Sequence, residues 1–234
     1  MSAYAELKRH AWLANQELPK AGLVTKTFGN ASAFDAERRV FAIKPSGVPF
    51  ESLHPEDMVV VDIQAKVVEG SLRPSSDTRT HAILYAAWPD IGGVVHTHSP
   101  YAVAWAQAMK SIPVLGTTHA DHVAQDIPCT APMDDAQIAG DYEEETGRQI
   151  LKTFQQISHT SVTMVLVANH GPFTWGSTPE QAVEQSIALE QIAQMALLTL
   201  QINPGAPRLS EALLRKHFER KHGPDAYYGQ GKTS

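Results

Sequence analysis

Three β-rich runs, TKTFGNASAF, RVFAIK and DMVVVDI, follow one another between Thr25 and Ile63. Gly, Pro, Asn and Asp punctuate them, which is the signature of strands separated by turns. Parallel strands need a crossover of a dozen or more residues, usually a helix. The gaps here are too short for helical crossovers, so this stretch must form antiparallel strands of one sheet. Helical periodicity surrounds it. Leu7, Ala11, Ala14 and Leu18 share one face of a helix over residues 5–18, which Pro19 and Gly22 should stop. Further helices are expected over 78–88, capped by Ser76 or Asp77, and over 100–109, 134–154, 179–201 and 209–221. GGVVHTH and TMVLVAN read as buried strands. With no repeat, linker or low-complexity block, the expected fold class is α/β: one domain with helices packed on a mixed or largely antiparallel sheet.

Composition narrows the function classes. The 234 residues carry 19 Lys and Arg against 25 Asp and Glu, a net charge of -6 with no basic stripe, so nucleic acid is not expected as a partner. No apolar run approaches the ~20 residues of a membrane span, and charges interrupt the N-terminal segment every few positions, so neither a membrane nor a signal peptide is expected. Cys129 is the single cysteine, which fits a reducing, cytoplasmic compartment.

The histidines carry the chemistry. In GGVVHTHS, His96 and His98 stand two apart, so on a strand both imidazoles leave the same face. That spacing lets two nitrogens meet one metal ion at about 2.0–2.1 Å. His170 ends the apolar run VLVANHG, and Asp77 stands at a helix entrance in PSSDT. Three imidazoles and one carboxylate suit Zn2+, with Mn2+ or Co2+ as alternatives. His81, one helical turn after Asp77, is placed to orient it. His10, His54, His159, His217 and His222 read as surface residues, and His119 and His122 as supporting neighbours of Asp121. Three donor-rich turns suit a phosphate: Gly29 and Asn30 in TFGNAS, Lys44, Ser46 and Gly47 in AIKPSGV, and Ser75 and Ser76 in PSSDT. Asp121 in TTHADH suits either a turn or a general acid/base. Tyr227 and Tyr228, two aromatics in a polar tail, suit docking onto another subunit. The closing GQGKTS only imitates a nucleotide-binding loop, because Ala226 occupies the place of its first glycine and no helix follows.

TFGNAS, IKPSGV, DMVVVDI, PSSDT, GGVVHTHS, GTTHAD, NHGPF and the closing KHG and YYGQ together resemble the class II aldolase/adducin-head family, from the first helix to Gln230. The resemblance implies a single-domain three-layer sandwich over residues 1–230, with a mostly antiparallel central sheet flanked by helices and a short tail at 231–234. It implies a metal-dependent isomerase that interconverts L-ribulose 5-phosphate and D-xylulose 5-phosphate in pentose catabolism, fed by L-arabinose or L-ascorbate. The metal would rest on Asp77, His96, His98 and His170, and the sugar phosphate on Gly29, Asn30, Lys44, Ser46, Gly47, Ser75 and Ser76. Asp121 and a neighbouring subunit's Tyr228 would form the acid/base pair of a homotetramer with active sites between subunits. Asp77, where related aldolases carry Glu, and the YYGQ ending favour the epimerase branch. The alternatives within the resemblance are an aldolase that releases its fragments and a metal-free interaction domain.

Overall fold

The computed structural model describes residues 2–223 and 226–227. Its β-strands are β1 (Asn30–Asp35), β2 (Val40–Ile43), β3 (Val59–Asp62), β4 (Val67–Glu69), β5 (Gly93–His96), β6 (Met164–Leu166) and β7 (Pro172–Gly176). They form one sheet in the order β4-β3-β2-β1-β5-β7-β6. Every neighbouring pair is antiparallel. The β1–β4 meander follows from the short connections. The helices are α1 (Ala5–Lys20), α2 (Thr78–Ala87), α3 (Pro100–Gln107), α4 (Thr117–Ala120), α5 (Asp135–Ala139), α6 (Tyr142–Thr153), α7 (Pro179–Ile202) and α8 (Glu211–His222).

Alternation along the strands creates the layers. Phe41, Ile43, Val59, Val61, Val94, Phe173 and Trp175 join Leu84 and Tyr85 of α2 in the main core. The intervening residues face the other way: Ala31 and Val95 meet Ala14 and Leu18 of α1 and Val183 of α7, while Ala33, Ala42 and Val60 meet Ala11. The sheet thus lies between helical layers. Among the described residues no helix is long and apolar enough to cross a membrane.

Several expected boundaries shift. Pro19 lies inside α1, which runs to Lys20, because a proline in the last turn removes one hydrogen bond without reversing the chain. The stretch expected as one helix over 134–154 is two. Asp134 caps α5, the chain breaks at Gly140, and Asp141 accepts from the Glu144 amide to start α6. The short elements β4, α4 and β7 were not expected. Tyr228, expected in the acid/base pair, lies outside the described residues, as does the 231–234 tail.

Candidate active site

β5 ends at His96, so His98 stands two residues on, just beyond the ladder. The backbone nevertheless stays extended enough for the imidazoles to converge, with Nε2 of His96 and Nε2 of His98 3.1 Å apart. Nδ1–H of His96 donates to the Pro172 carbonyl at 2.9 Å, which turns the Nε2 lone pair toward the cluster. His170 arrives from the β6–β7 hairpin, where Val167 N–H donates to the Gly171 carbonyl at 2.9 Å. Asn169 turns that hairpin in the left-handed conformation, with φ of 60°, while its N–H is tied to the Ala106 carbonyl at the end of α3. A Cβ on Gly171 would come within 2.9 Å of the Thr97 carbonyl, so a small residue is required for the hairpin to approach β5.

The ring centroids of His170 lie 4.6 Å from His96 and 5.3 Å from His98. One nitrogen from each of the three imidazoles falls within 4.8 Å of the others, a grouping that could hold a metal ion. Two ligands at about 2.0–2.1 Å in tetrahedral array would sit about 3.3 Å apart, close to the spacing of the two Nε2 atoms. Burial and the neighbouring His96 push His170 down to about 3, and burial likewise lowers His98. Both therefore stay neutral at physiological pH, as ligation requires. Nδ1 of His170 is buried without a hydrogen-bond partner among the described residues. This donor set fits a borderline divalent cation such as zinc.

Asp77 stands at the N-cap of α2, yet its side chain makes no capping hydrogen bond. Oδ2 instead accepts from the Asn30 amide at 2.7 Å. Burial opposes its ionisation, but His96, His81 and the Asn30 hydrogen bond outweigh that and hold its carboxyl below the usual carboxylate range. A cavity of about 290 Å³ opens beside it, lined by Gly29, Asn30, Lys44, Ser46, Gly47, Ser75, Ser76, Asp77, His96, His98 and His170. All three turns and the imidazole cluster thus meet in one place. The loop-to-strand joints make this possible. Gly29 has φ of 86° and no room for a Cβ, with Val24 Cγ1 at 2.8 Å and the His96 carbonyl at 3.0 Å. Ser75 N–H donates to the Lys44 carbonyl at 3.0 Å and Ser46 N–H to the Arg73 carbonyl at 2.9 Å, joining two of the turns.

Lys44 is 2% exposed and has no carboxylate partner among the described residues. Its Nζ lies 4.7 Å from the Phe50 ring centroid and 3.4 Å from the Pro45 carbonyl. Burial pulls its amine down to about 8. A buried cation without an anion is costly, so this wall of the cavity is built for a negatively charged group. Phe28, which the sequence reading passed over, also lines the cavity, its ring centroid 6.0 Å from that of His98. Its signal was an apolar residue in a polar turn.

Asp121 is elsewhere. It ends α4 and does not line this cavity. Nε–H and Nη2–H of Arg220 donate to its two oxygens at 3.0 and 2.6 Å, and Nδ1 of His217 lies 3.0 Å from Oδ1. Burial opposes ionisation, but the Arg220 and His217 hydrogen bonds prevail and keep its carboxyl below the ordinary range. His217 and His222 thus bind Asp121 from α8. His119 instead turns inward, with Nε2 3.0 Å from the Gln125 carbonyl. His159 stacks on Trp88 at 4.8 Å.

The family model described as class II aldolase and adducin N-terminal domain matches residues 9–197. Proteins named L-ribulose-5-phosphate 4-epimerase UlaF, from Salmonella paratyphi A and Salmonella typhi, are each 50% identical over 225 residues, covering 96% of this chain and 99% of theirs. Among solved structures, an L-fuculose 1-phosphate aldolase superposes with a TM-score of 0.77 at 24% identity, over 94% of this chain and 97% of that one. Another, from Glaciozyma antarctica PI12, gives 0.74 at 20% identity, over 92% of this chain and 81% of that one. At those identities the likeness carries the fold alone. Shared sandwich and matched sequence together establish that this chain belongs to the class II aldolase and adducin N-terminal domain family.

Proposed function

We propose that this chain is a metal-dependent L-ribulose-5-phosphate 4-epimerase acting in the cytoplasm on a sugar phosphate from pentose catabolism. The observation that carries the reading is the meeting, in one cavity, of a three-imidazole cluster with a buried lysine that has no carboxylate partner among the described residues. The twofold likeness to proteins named for that reaction, at 50% identity over nearly the whole chain, supports it. His96, His98, His170 and Asp77 would hold the cation, zinc by its donor set, with manganese or cobalt as substitutes. When bound, the cation supplies Lewis-acid stabilisation of the negative charge that develops on the substrate.

The C4 proton of a ketose phosphate is not acidic, because no carbonyl adjoins C4. Inversion there requires the C3–C4 bond to open: the C4 hydroxyl loses its proton, C4 becomes an aldehyde carbon, and the bonding pair moves toward the C2 carbonyl. Lys44 Nζ and the donors of the Gly29–Asn30, Ser46–Gly47 and Ser75–Ser76 turns would anchor the phosphate while the aldehyde turns over. That anchorage holds both fragments together at high effective concentration for re-addition on the other face. A base must take the hydroxyl proton and an acid must return one from the opposite side. Asp121, ionised at neutral pH, and Tyr228 are assigned to this pair.

Asp121 lies off the cavity of its own chain, and Arg220 binds it to the helix that leads to the tail. Tyr227 N–H in turn donates to the Arg220 carbonyl at 3.0 Å. This supports Asp121 serving a site across a subunit boundary in the expected homotetramer, with Tyr228 expected from a neighbouring subunit's tail. The test is conversion of L-ribulose 5-phosphate to D-xylulose 5-phosphate by purified protein, before and after chelation and with zinc restored. Activity lost on chelation and recovered with metal is the expected result; full activity in metal-stripped protein overturns the reading.

A further inference from the structure

Three rungs tie α2 to β1. Asp77, His81 and Tyr85 recur every fourth residue along the helix, and Asn30, Ser32 and Phe34 every second residue along the strand. Four helical residues advance about 6 Å and two strand residues about 6.6 Å, so the two rows stay in step. The Asn30 amide meets Asp77 at 2.7 Å, Ser32 Oγ meets Nδ1 of His81 at 2.7 Å, and the Phe34 ring stacks on Tyr85 at 4.3 Å. The middle rung is the unusual one. His81 is fully buried, and its Nε2 has no partner among the described residues.

The neighbouring hydroxyls supply a relay that can set which nitrogen carries the proton. Tyr85 has Ser32 Oγ at 2.7 Å and the Ser32 carbonyl at 3.4 Å; when its hydroxyl donates to the nearer oxygen, Ser32 is left to donate onward. Ser32 then has one proton to give, and Nδ1 of His81 receives it. The neutral imidazole consequently carries its own proton on Nε2. Side chains on a helix lean toward its N-terminus, which brings His81 back over the turn that bears Asp77. The other tautomer would aim a lone pair at an anionic carboxylate.

From this geometry we infer that His81 is a positioning residue of the metal centre, its Nε2–H serving the Asp77 carboxylate and the Tyr85–Ser32 relay setting the tautomer that allows it. The inference rests on the reading of Asp77 as a metal ligand under Proposed function. Asn30 then holds Asp77 from the strand, His81 backs it from the helix with an Nε2 that has no partner among the described residues, and the helix end gives up its cap to make the carboxylate available.

The experiment measures zinc affinity of the full-length protein by competition with a chromophoric chelator, alongside the melting temperature of the chelated protein. His81→Phe keeps a ring beside Phe41 and Phe173, whose centroids lie 6.4 and 6.2 Å away, and removes the donor. Zinc affinity should fall about 10–100-fold, as for other groups that orient a ligand. The melting temperature of the metal-free protein should change little, because loss of the unpaired Nε2 donor offsets loss of the buried Ser32–Nδ1 hydrogen bond. His81→Gln, with an amide nitrogen able to reach the place of Nε2, should recover most of the affinity. Tyr85→Phe should weaken zinc binding in the same direction, and it decides the matter alone if His81→Phe does not fold. Unchanged zinc affinity in His81→Phe, or in Tyr85→Phe where that variant decides, overturns the inference. So does a loss in His81→Phe that tracks lost metal-free stability and is not restored by Gln. A parent chain that binds no zinc is a distinct result, which overturns the metal reading itself and this inference with it.

Discussion

The pairing of His96 with His98 was legible because strand geometry has period two, and it persists although His98 stands past the end of the ladder. The state of Lys44 was not legible. IKPSGV announces a polar turn, whereas only packing reveals a lysine 2% exposed with an aromatic ring beneath it. Its amine, lowered to about 8, loses its charge as pH rises through that value. For the free enzyme, kcat/KM should therefore decline above about pH 8, and Lys44→Arg, whose guanidinium remains charged, should abolish that decline. The same shift has a stability sign. Lys44 binds its proton less tightly folded than unfolded, so stability rises with pH between about 8 and the unfolded value near 10.5, and the charged form is a burden below both. Lys44→Met should accordingly raise the melting temperature at pH 7 while raising KM tenfold or more. A melting temperature that falls would show the amine to be satisfied in the substrate-free protein.

Long periodic elements could be read directly, and short ones could not. α7 matched its expected span to within a residue because Thr178 caps it, Pro179 opens it and its apolar face repeats for six turns. β4 has three residues and α4 four, too few for a repeating pattern, and β7 opens on Pro172 and closes on Gly176, residues that read as turns. Their existence depends on neighbours: β7 is a strand because it pairs with both β5 and β6. The turn before β1 shows how an element end positions chemistry. Gly29 adopts φ of 86° against the His96 backbone, so Gly29→Ala combines backbone strain with a Cβ at 2.8 Å from Val24 Cγ1. Urea denaturation should show a loss of about 1–3 kcal/mol. The altered joint should also weaken phosphate binding, read as a rise in KM larger than the fall in kcat.

At the scale of the whole molecule, the cavity and Asp121 occupy separate places. His217, Arg220 and Lys221 of α8 all lie within 4.0 Å of the Asp121 carboxylate. If Asp121 serves a neighbour, subunits lacking different halves of the site should complement each other. Mixed assemblies of His96→Asn and Asp121→Asn chains should regain a fraction of parental turnover although each variant alone is inactive; no recovery in verified mixed assemblies would return Asp121 to its own chain. Antiparallel pairing of the first strands and the shared face of His96 and His98 were determined by the sequence alone, since both follow from local connection length and strand period. Only the tertiary structure decided that residues 29, 44, 77, 96 and 170 line one cavity and that Asp121 does not. Those positions are joined by sheet order, hairpin approach and glycine-sized gaps between backbones, which are long-range packing facts that no local pattern encodes.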